Sequence, residues 1–458
     1  MRRFWVFWIV FVAFLVPIIH CGGGKPSSDQ RMNVLLITLD TLRADHLGCY
    51  GYAKNTSPTL DALASTSIVF DFAIAQSAIT PVSHASIMTG LNPYNHGLRS
   101  LHGGVSYQLP DSRLTLAELM EANGYATAGF VSAFPVTKHY GLHQGFETWD
   151  EEFHKKHEDE VKILSDTGVV NTGTAQRTCA ATTEKAIAWL RNHADNPFFS
   201  WIHYFDVHDP ILLPPNEYIK RFYPKSRDKP EILRSVYDAE IAFMDDQINL
   251  ILKELDALNI RENTILAILS DHGEGLGDHD WWGHSILYQE QIRLVFMLSI
   301  PGEKKNIRIP SLVRSIDLVP TLVELLQLDI PAENDLDGKS LLDMIDKSAA
   351  SPRTAYSESI NDLSAYYGSQ MQNESLYAIS DGRWKLILHR EESRDKGVEL
   401  FDLQSDAREL TNLSEKHPEI AAQLRDQLEE MQAIVEDPPR PAMDEKTRER
   451  LKSLGYIK

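Results

Sequence analysis

The stretch from Asp271 to His284 has the residue types and the spacing that metal binding requires. Asp271 and His272 follow directly on an apolar run and open a glycine-rich loop, GEGLGDHDWWGH. The pair offers one oxygen and one nitrogen ligand, and the glycines allow the backbone to wrap closely around an ion. This pattern favours a metal site over a loop without chemistry.

A second acidic position comes early in the chain, where Asp40 and Thr41 follow the apolar run NVLLITL. A carboxylate at the end of a buried strand can bind a cation. Taken alone, Asp40 fits better as a helix cap, because Asp is among the preferred N-cap residues. Its importance therefore depends on the other clusters.

The segment 77–90, SAITPVSHASIMTG, contains a candidate nucleophile. Ser83 resembles an N-cap, residues 84–89 a short helix and Gly90 its stop, so we expect Thr80 just before the helix. Backbone N–H groups and the helix dipole favour an anion there. A hydroxyl at that place can attack phosphorus or sulfur if a metal lowers its pKa. A capping loop without chemistry explains the local sequence equally well.

Another polar cluster, HYFDVHDP at 203–210, crowds the end of an apolar run. It includes the titratable side chains of Asp206 and His208. From the spacing alone, a solvent-facing loop and a part of a binding site explain this cluster equally well.

Strand and helix patterns alternate along the chain before about residue 350. Strands are predicted at 33–39, 125–131, 198–204, 264–269 and 293–298, and helices at 114–123, 174–193 and 233–258, with a further helix starting at Ser57-Pro58. The alternation predicts an α/β fold with a large, mostly parallel sheet and helices on both faces. Such sheets bind ligands beyond the carboxyl ends of their strands, where Asp40, the 203–208 cluster and Asp271 all fall.

The pattern changes near residue 350, so we predict a catalytic domain at 32–350 and a small C-terminal α+β subdomain at 351–458. The segment 376–388 is typical of a hairpin with Asp381-Gly382 at its turn. A short strand is predicted at 399–403 and an amphipathic helix at 418–435.

The N-terminus has the features of a targeting segment. Arg2 and Arg3 precede 16 apolar residues, fewer than the ~20 that span a membrane. We predict a signal peptide at 1–21 and a flexible tether at 22–31. Cys21 resembles a bacterial lipoprotein site, although His20 is not the small residue expected before it, and an ordinary signal or an uncleaved anchor fits as well. Each alternative places the protein outside the cytoplasm, either secreted or anchored to a membrane in the periplasm or cell envelope, with membrane contact only through this segment or its lipid.

The composition excludes several classes of protein. With 43% hydrophobic and 24% charged residues, the chain is typical of a globular protein and not of a disordered, collagen-like or multi-span membrane chain. Its formal net charge of −20 argues against nucleic acid as a partner, because phosphate binding needs a basic face. An anionic substrate stays open, since a buried cation inverts the local field. Three cysteines without a CxxC motif indicate neither a disulfide framework nor a zinc site.

Together, these motifs resemble the sulfatase family of the alkaline phosphatase superfamily. They are NVLLITLDTLRADHLGCYGY, TPVSHASIMTG, HYFDVHDP and SDHGEGLGDHDWWGH, followed by SIDLVPT, GKSLL, GRWKLIL, ELFDLQSDARELTNL and KSLGY. The resemblance covers about residues 32–458 and is specific for the family, because several motifs occur in the family's order, but not for a substrate. It implies the alkaline-phosphatase-like sandwich fold and the hydrolysis of sulfuric or related esters of a small molecule, glycan or lipid.

The resemblance also implies a metal site. Asp40, Asp271 and His272 match the family's metal ligands, and Thr41 falls where many sulfatases have a second Asp. One divalent ion is expected. Because one ligand is a nitrogen and Thr41 carries no charge, manganese or zinc is favoured, with calcium still open.

Four further positions match the family's catalytic residues. Thr80 falls at the nucleophile, which also touches the metal, and His84 falls on the arginine that follows it in the family motif. His208 matches a histidine that contacts the transferred group. His284 matches a lysine or histidine that protonates the leaving oxygen or holds that group.

The chain departs from true sulfatases at the nucleophile. Their Cys or Ser lies in a C/S-x-P/A-x-R motif and is oxidised to formylglycine, whereas here Thr80, Val82 and His84 occupy the three defining positions. Threonine cannot give that aldehyde, so no formylglycine is expected. A threonine nucleophile resembles the phosphodiesterases and phosphotransferases of the same superfamily.

Three functions therefore compete. The first is a one-metal hydrolase of sulfate or phosphate esters with Thr80 as nucleophile. The second is a phosphodiesterase or phosphotransferase, in its two-metal form with Asp206, His208 and His284 (or His279) around a second ion. The third is a non-catalytic binding protein that keeps the fold.

Overall fold

The structure is a computed structural model that describes residues 31–101, 108–153, 176–208, 213–226, 228–303, 306–331, 335–347, 352–360, 374–391, 394–432 and 449. The predicted signal peptide at 1–21, residues 22–30 of the tether predicted at 22–31, and the KSLGY motif lie outside these residues. So does the end of the predicted C-terminal helix at 433–435.

A nine-stranded sheet forms the centre of the N-terminal part. Its strands are β1 (Asn33–Leu39), β2 (Ile68–Ile74), β3 (Ala126–Phe130), β4 (Thr148–Asp150), β5 (Phe198–Tyr204), β6 (Thr264–Ser270), β7 (Arg293–Leu294), β8 (Phe296–Ser299) and β9 (Ile307–Arg314). Their order is β4-β3-β5-β1-β6-β8-β2-β7, and β9 also pairs with β2. Strands β4, β3, β5, β1 and β6 are parallel to one another, whereas β8 runs antiparallel to β6.

Helices cover both faces of this sheet. They are α1 (Pro58–Ala64), α2 (Thr80–Thr89), α3 (Pro93–His96), α4 (Leu116–Ala122), α5 (Cys179–His193), α6 (Asn216–Phe222), α7 (Lys229–Ala257), α8 (Gln289–Ile292), α9 (Leu318–Leu326) and α10 (Leu342–Lys347). Leu36 of β1 packs in the core that includes α2, α4 and α9, whereas its neighbour Leu35 packs in the core that includes α5 and α7. Successive residues of a strand point to opposite faces, so the sheet lies between two helical layers. The predicted α/β fold is confirmed. Within the described ranges, every helix is too short or too polar to cross a bilayer.

The C-terminal part is a four-stranded antiparallel sheet with one helix. Its strands are β10 (Ala355–Ile360), β11 (Glu374–Ser380), β12 (Trp384–Glu391) and β13 (Arg394–Asp402), and the helix is α11 (Pro418–Gln432). Strands β11 and β12 form the predicted hairpin, and Gly382 at its turn has a φ of +99°. Side chains of α11 pack on β11 and β12 in a separate small core.

Several predicted boundaries were wrong by a few residues. Helix α5 begins at Cys179 and not at 174, because Thr178 caps it by accepting a hydrogen bond from Ala181 N. Helix α7 begins four residues before 233, at Lys229, with a proline in its first turn. The single strand predicted at 293–298 is two strands separated by Val295.

The start of α2 is a correction that matters for the site. The helix begins at Thr80 and not after Ser83, since Ser83 N already bonds to Ile79 O at 2.9 Å. The Ser83 hydroxyl caps nothing and instead donates to Asp271 O at 2.7 Å. Gly90 ends the helix as predicted, with a φ of +70°.

The two described cysteines, Cys49 and Cys179, have free thiols. Cys179 is buried, as expected of a small hydrophobic residue. Cys49 is only half-buried, so that expectation holds for one of the two.

Strand pairing brings the polar clusters to one edge of the sheet. Leu39 at the end of β1 pairs with Ser270 of β6 on one side and with Tyr204 of β5 on the other. Asp40 and Asp271 therefore leave the sheet side by side.

A stability prediction follows from the buried contact between α7 and α1. Asp245 accepts hydrogen bonds from Thr59 N and Leu60 N, at 2.8 and 2.9 Å, and so serves as the cap that Ser57 does not supply. Asp245→Ala should lower the free energy of unfolding by about 1–3 kcal/mol, because two backbone N–H groups lose their partner. Urea denaturation measures the change. The exposed Asp256→Ala on the same helix is the control, and equal effects of the two substitutions would disprove the capping role.

Candidate active site

Two carboxylates and one imidazole meet at the carboxyl ends of β1 and β6. Asp40, Asp271 and His272 each offer a ligand atom, and these atoms all lie within 4.8 Å of one another. All three residues are fully buried. Two of the three come from neighbouring strand ends, so the parallel pairing itself creates the cluster.

The cluster is electrostatically unfavourable without a cation. Burial raises the pKa of Asp40 well above its ordinary value, and the charges of Asp271 and Glu274 raise it further, whereas a hydrogen bond from Thr80 lowers it. Burial likewise raises the pKa of Asp271. Oδ1 of Asp40 and Oδ2 of Asp271 are buried without a hydrogen bond of good geometry. These two carboxylate oxygens, together with a ring nitrogen of His272, form a set of donors that fits a divalent ion.

Hydrogen bonds from the surrounding backbone orient these ligands. Asp271 Oδ1 accepts from Thr41 N at 3.1 Å and from His272 N at 2.7 Å, which leaves Oδ2 to face the cluster. His272 Nδ1 lies 2.9 Å from Gly273 O, so Nδ1 carries the proton and Nε2 presents its lone pair. A metal ligand needs its imidazole in that tautomer.

His203 supports Asp40 and had no role in our sequence analysis. Its Nδ1 accepts from Ser132 N at 3.3 Å, so Nε2 carries the proton and donates to Asp40 Oδ2 at 3.2 Å. Glu274 is a second residue without a predicted role, and its carboxylate adds negative charge near Asp40. Both lie inside motifs that we had marked, but spacing did not show which members of each motif turn inward.

Thr80 points at the cluster from the first turn of α2. Its Oγ1 lies 3.2 Å from His272 Nε2. Thr80 is 1% exposed and lies at the amino end of the helix, where backbone N–H groups favour negative charge. The structure thus brings Thr80 next to His272, which lies 192 residues further along the chain.

His84 lies beneath Thr80 with both ring nitrogens engaged. Nδ1 donates to Thr80 O at 2.8 Å, and Nε2 accepts from Thr38 Oγ1 at 3.0 Å, which in turn accepts from Trp201 Nε1 at 2.8 Å. Burial lowers the pKa of His84 to about 4, so this ring is neutral at neutral pH. These contacts suit a residue that positions Thr80 better than one that binds an anion.

His208 and His284 form a pair beside the cluster. Their Nε2 atoms are 3.1 Å apart, and His284 Nδ1 donates to Ala78 O at 2.7 Å. The rings of His284 and His272 have centroids 4.4 Å apart, so the pair adjoins the predicted metal ligands. Burial lowers the pKa of His284 to about 4, and burial together with the charge of His284 lowers that of His208.

The other predicted residues make contacts of a different kind. The Thr41 hydroxyl donates to Asp40 O at 2.8 Å, and the residue has a φ of +53°, so its ligand role stays a prediction. Asp206 accepts from Cys179 N at the start of α5, and His279 pairs with Glu290 at 2.8 Å. In the described part of the chain, only Asp40, Asp271 and His272 form a group of three or more candidate ligands. The two-metal arrangement is therefore not observed there.

Comparison with known proteins gives matches over most of the chain. The sequence model of the family described as Sulfatase matches residues 32–328, and that of N-sulphoglucosamine sulphohydrolase, C-terminal, matches residues 277–434. An ulvan-active sulfatase of Formosa agariphila is 27% identical over 345 residues. The match covers 69% of this chain and 65% of the relative, so the chain spans just under two thirds of the relative's length. Arylsulfatase K of Rattus norvegicus is 25% identical over 470 residues, and the match covers 92% of this chain and 81% of the length of that relative.

A solved structure gives the same fold. The crystal structure of phosphonate monoester hydrolase of Agrobacterium radiobacter superposes with a TM-score of 0.71 at 21% identity. The match covers 88% of this chain and 96% of that chain.

The buried acidic pair leads to a prediction for protein stripped of metal by a chelator. There, Asp271→Asn should melt at a higher temperature than the unaltered chain at neutral pH, because it removes one of two charges that repel each other while its amide oxygen keeps both N–H donors. Added manganese should stabilise the unaltered chain and leave Asp271→Asn unchanged. Scanning calorimetry measures both effects.

Asp206→Asn is the matched control, since Asp206 is also buried but caps α5. This variant should keep the response to manganese. A full response in Asp271→Asn would show that Asp271 is not a ligand.

Proposed function

The chain belongs to the sulfatase family, and we propose that it is a metal-dependent hydrolase of sulfate or phosphate esters in which Thr80 is the nucleophile. The observation that carries this proposal is the position of the Thr80 hydroxyl. It lies 3.2 Å from His272 Nε2, at the amino end of α2 and beside two buried carboxylates. A hydroxyl that served only to cap the helix would not need such an environment.

Asp40, Asp271 and His272 are the residues that would hold the divalent ion. When bound, the ion supplies Lewis-acid polarisation of the ester and favours the deprotonated nucleophile. The mixed oxygen and nitrogen donor set favours manganese or zinc, with calcium as the alternative. His203 and the backbone N–H of Thr41 fix the orientation of the two carboxylates.

Thr80 attacks in line. Its hydroxyl proton passes to solvent, and its oxygen forms a bond to sulfur or phosphorus while the bond to the leaving oxygen breaks, so that a covalent ester on Thr80 results. His84, through its hydrogen bond to Thr80 O, keeps the first turn of the helix in place during this step. Water deprotonated by a histidine then attacks the same atom and frees Thr80.

The His208–His284 pair supplies the proton that the leaving oxygen takes up. In the free protein both rings are neutral at neutral pH, because burial lowers their pKa values. A bound anion beside the pair favours the charged form, since an opposite charge raises the pKa of an imidazole. The substrate therefore brings about the protonation that its own cleavage requires.

Phosphate esters are the second candidate within this proposal, and Thr80 itself favours them. An unmodified hydroxyl resembles the nucleophile of the phosphodiesterases and phosphotransferases of the superfamily, whereas the sulfatases use formylglycine. Glycan sulfate esters are the other class, by analogy with the ulvan-active sulfatase. The predicted signal peptide at 1–21 would place either substrate outside the cytoplasm.

Thr80→Ala should reduce kcat/KM by roughly 10³-fold or more for every ester that the unaltered protein cleaves, because the attacking atom is removed. A panel of matched aryl sulfate, aryl phosphate, phosphodiester and phosphonate substrates measures this and ranks the ester classes. Thr80→Ser keeps a hydroxyl and should retain part of the activity.

Thr89→Ala is the control, because Thr89 is a buried threonine at the other end of α2 whose hydroxyl donates to Ala85 O and accepts from Leu91 N. It should keep near-normal activity. Full turnover by Thr80→Ala would overturn the nucleophile, and a metal-loaded protein that cleaves none of the esters would favour a non-catalytic role.

A further inference from the structure

The loop between β6 and α8, residues 271–288, carries Asp271, His272 and His284 on an unusual backbone. Four of its non-glycine residues have left-handed φ values, namely Leu276 at +50°, His279 at +49°, Asp280 at +56° and Ser285 at +98°. Side chains rarely adopt this conformation unless surrounding contacts hold them in it. The loop therefore depends on contacts from outside itself.

Those contacts include a buried ion pair from the C-terminal part of the chain. Lys385 of β12 is 0% exposed and Glu409 is 2% exposed, and Lys385 Nζ lies 2.6 Å from Glu409 Oε1. Lys385 also donates to Leu287 O, three residues after His284. Glu409 Oε2 accepts from Gln289 N at 2.6 Å. The two charged groups thus bond the backbone on both sides of residue 288.

His279 joins the other side of the loop to the same place. Its Nε2 donates to Glu409 O at 3.2 Å and its Nδ1 lies 2.8 Å from Glu290 Oε1, while its ring stacks on Tyr288 with centroids 3.8 Å apart. A carbonyl and a carboxylate both accept, so each ring nitrogen carries a proton. His279 therefore attaches the loop to these residues and does not serve as a metal ligand.

Strand β10 completes the attachment next to the catalytic residues. Ser359 Oγ donates to Ser285 O at 2.6 Å, immediately after His284. Ser357 Oγ donates to Ala75 O at 2.6 Å, on the segment that leads into α2 and Thr80. The C-terminal sheet therefore touches the segments that carry His284 and Thr80.

We infer that Lys385 and Glu409 are positioning residues, which hold the 271–288 loop so that His284 meets His208 and the nucleophile. This inference rests on the proposed function for the role of His284, but the contacts stand without it. Buried ion pairs give little net stability, because desolvation offsets the attraction, yet their bonds are directional. Misplacing a catalytic group by about 1 Å can cost roughly 10²-fold in rate.

Three variants of the full-length, metal-loaded protein test this inference. Lys385→Met removes one charge, and Lys385→Met/Glu409→Gln removes both, so that no unpaired charge stays buried. Arg383→Met is the control, because Arg383 lies on the same hairpin and pairs with Asp402 at the surface. The readouts are hydrogen exchange in peptides from 276–289, the melting temperature, and kcat and KM on an aryl ester.

Lys385→Met should speed exchange in 276–289 and lower kcat, each by about tenfold or more, with KM changed by less than about threefold. The double variant should regain melting temperature, since it buries no unpaired charge, but keep the fast exchange and the low kcat. Arg383→Met should match the unaltered protein.

Two results would overturn the inference. One is normal exchange in 276–289 for both Lys385 variants. The other is a double variant whose kcat recovers together with its melting temperature, since the pair would then serve only stability. If the unaltered protein cleaves no ester, the proposed function fails, and the exchange rates alone still decide whether Lys385 and Glu409 hold the loop. If Lys385→Met does not fold, hydrogen exchange in 276–289 and kcat are measured on the double variant, and these two results decide the inference.

Discussion

Two carboxylates buried side by side are the constraint on which the rest of this structure depends. Parallel pairing of β1 with β6 fixes Asp40 beside Asp271, and both are fully shielded from water. Their ion-pair partners in the described part of the chain are histidines that burial keeps neutral, so the protein itself supplies little countercharge. Like charges in a medium of low dielectric repel strongly. The divalent cation that we propose here would supply the missing positive charge.

Three of the histidines around the pair share one tautomer, whereas His203 has the opposite one because its Nδ1 accepts from Ser132 N. His84, His272 and His284 each bond a backbone carbonyl through Nδ1, those of Thr80, Gly273 and Ala78 respectively. A carbonyl only accepts, so each ring has its proton on Nδ1 and presents the lone pair of Nε2. The backbone thereby sets which nitrogen can bind a metal, take a proton or accept from a neighbour. The tautomers of these three rings therefore depend on the backbone of α2 and of the segments that hold Gly273 and Ala78.

The sequence predicted the fold and the edge of the sheet where the site lies, because buried strands and the polar residues at their ends are local patterns. It did not predict which polar residues turn inward. His203 supports Asp40 only because β5 pairs with β1, and Ser83 bonds Asp271 O and caps nothing because α2 starts at Thr80. The contact between Lys385 and Leu287 joins residues 98 positions apart, which no local spacing reveals.

The most direct test of the central claim is a crystal structure of the protein grown with manganese, with anomalous data recorded on both sides of the manganese edge. The account predicts one anomalous peak at about 2.0–2.6 Å from oxygens of Asp40 and Asp271 and from Nε2 of His272, with the Thr80 hydroxyl facing it. A peak elsewhere in the molecule, or none at this cluster in an enzyme that still cleaves its ester, would contradict the account.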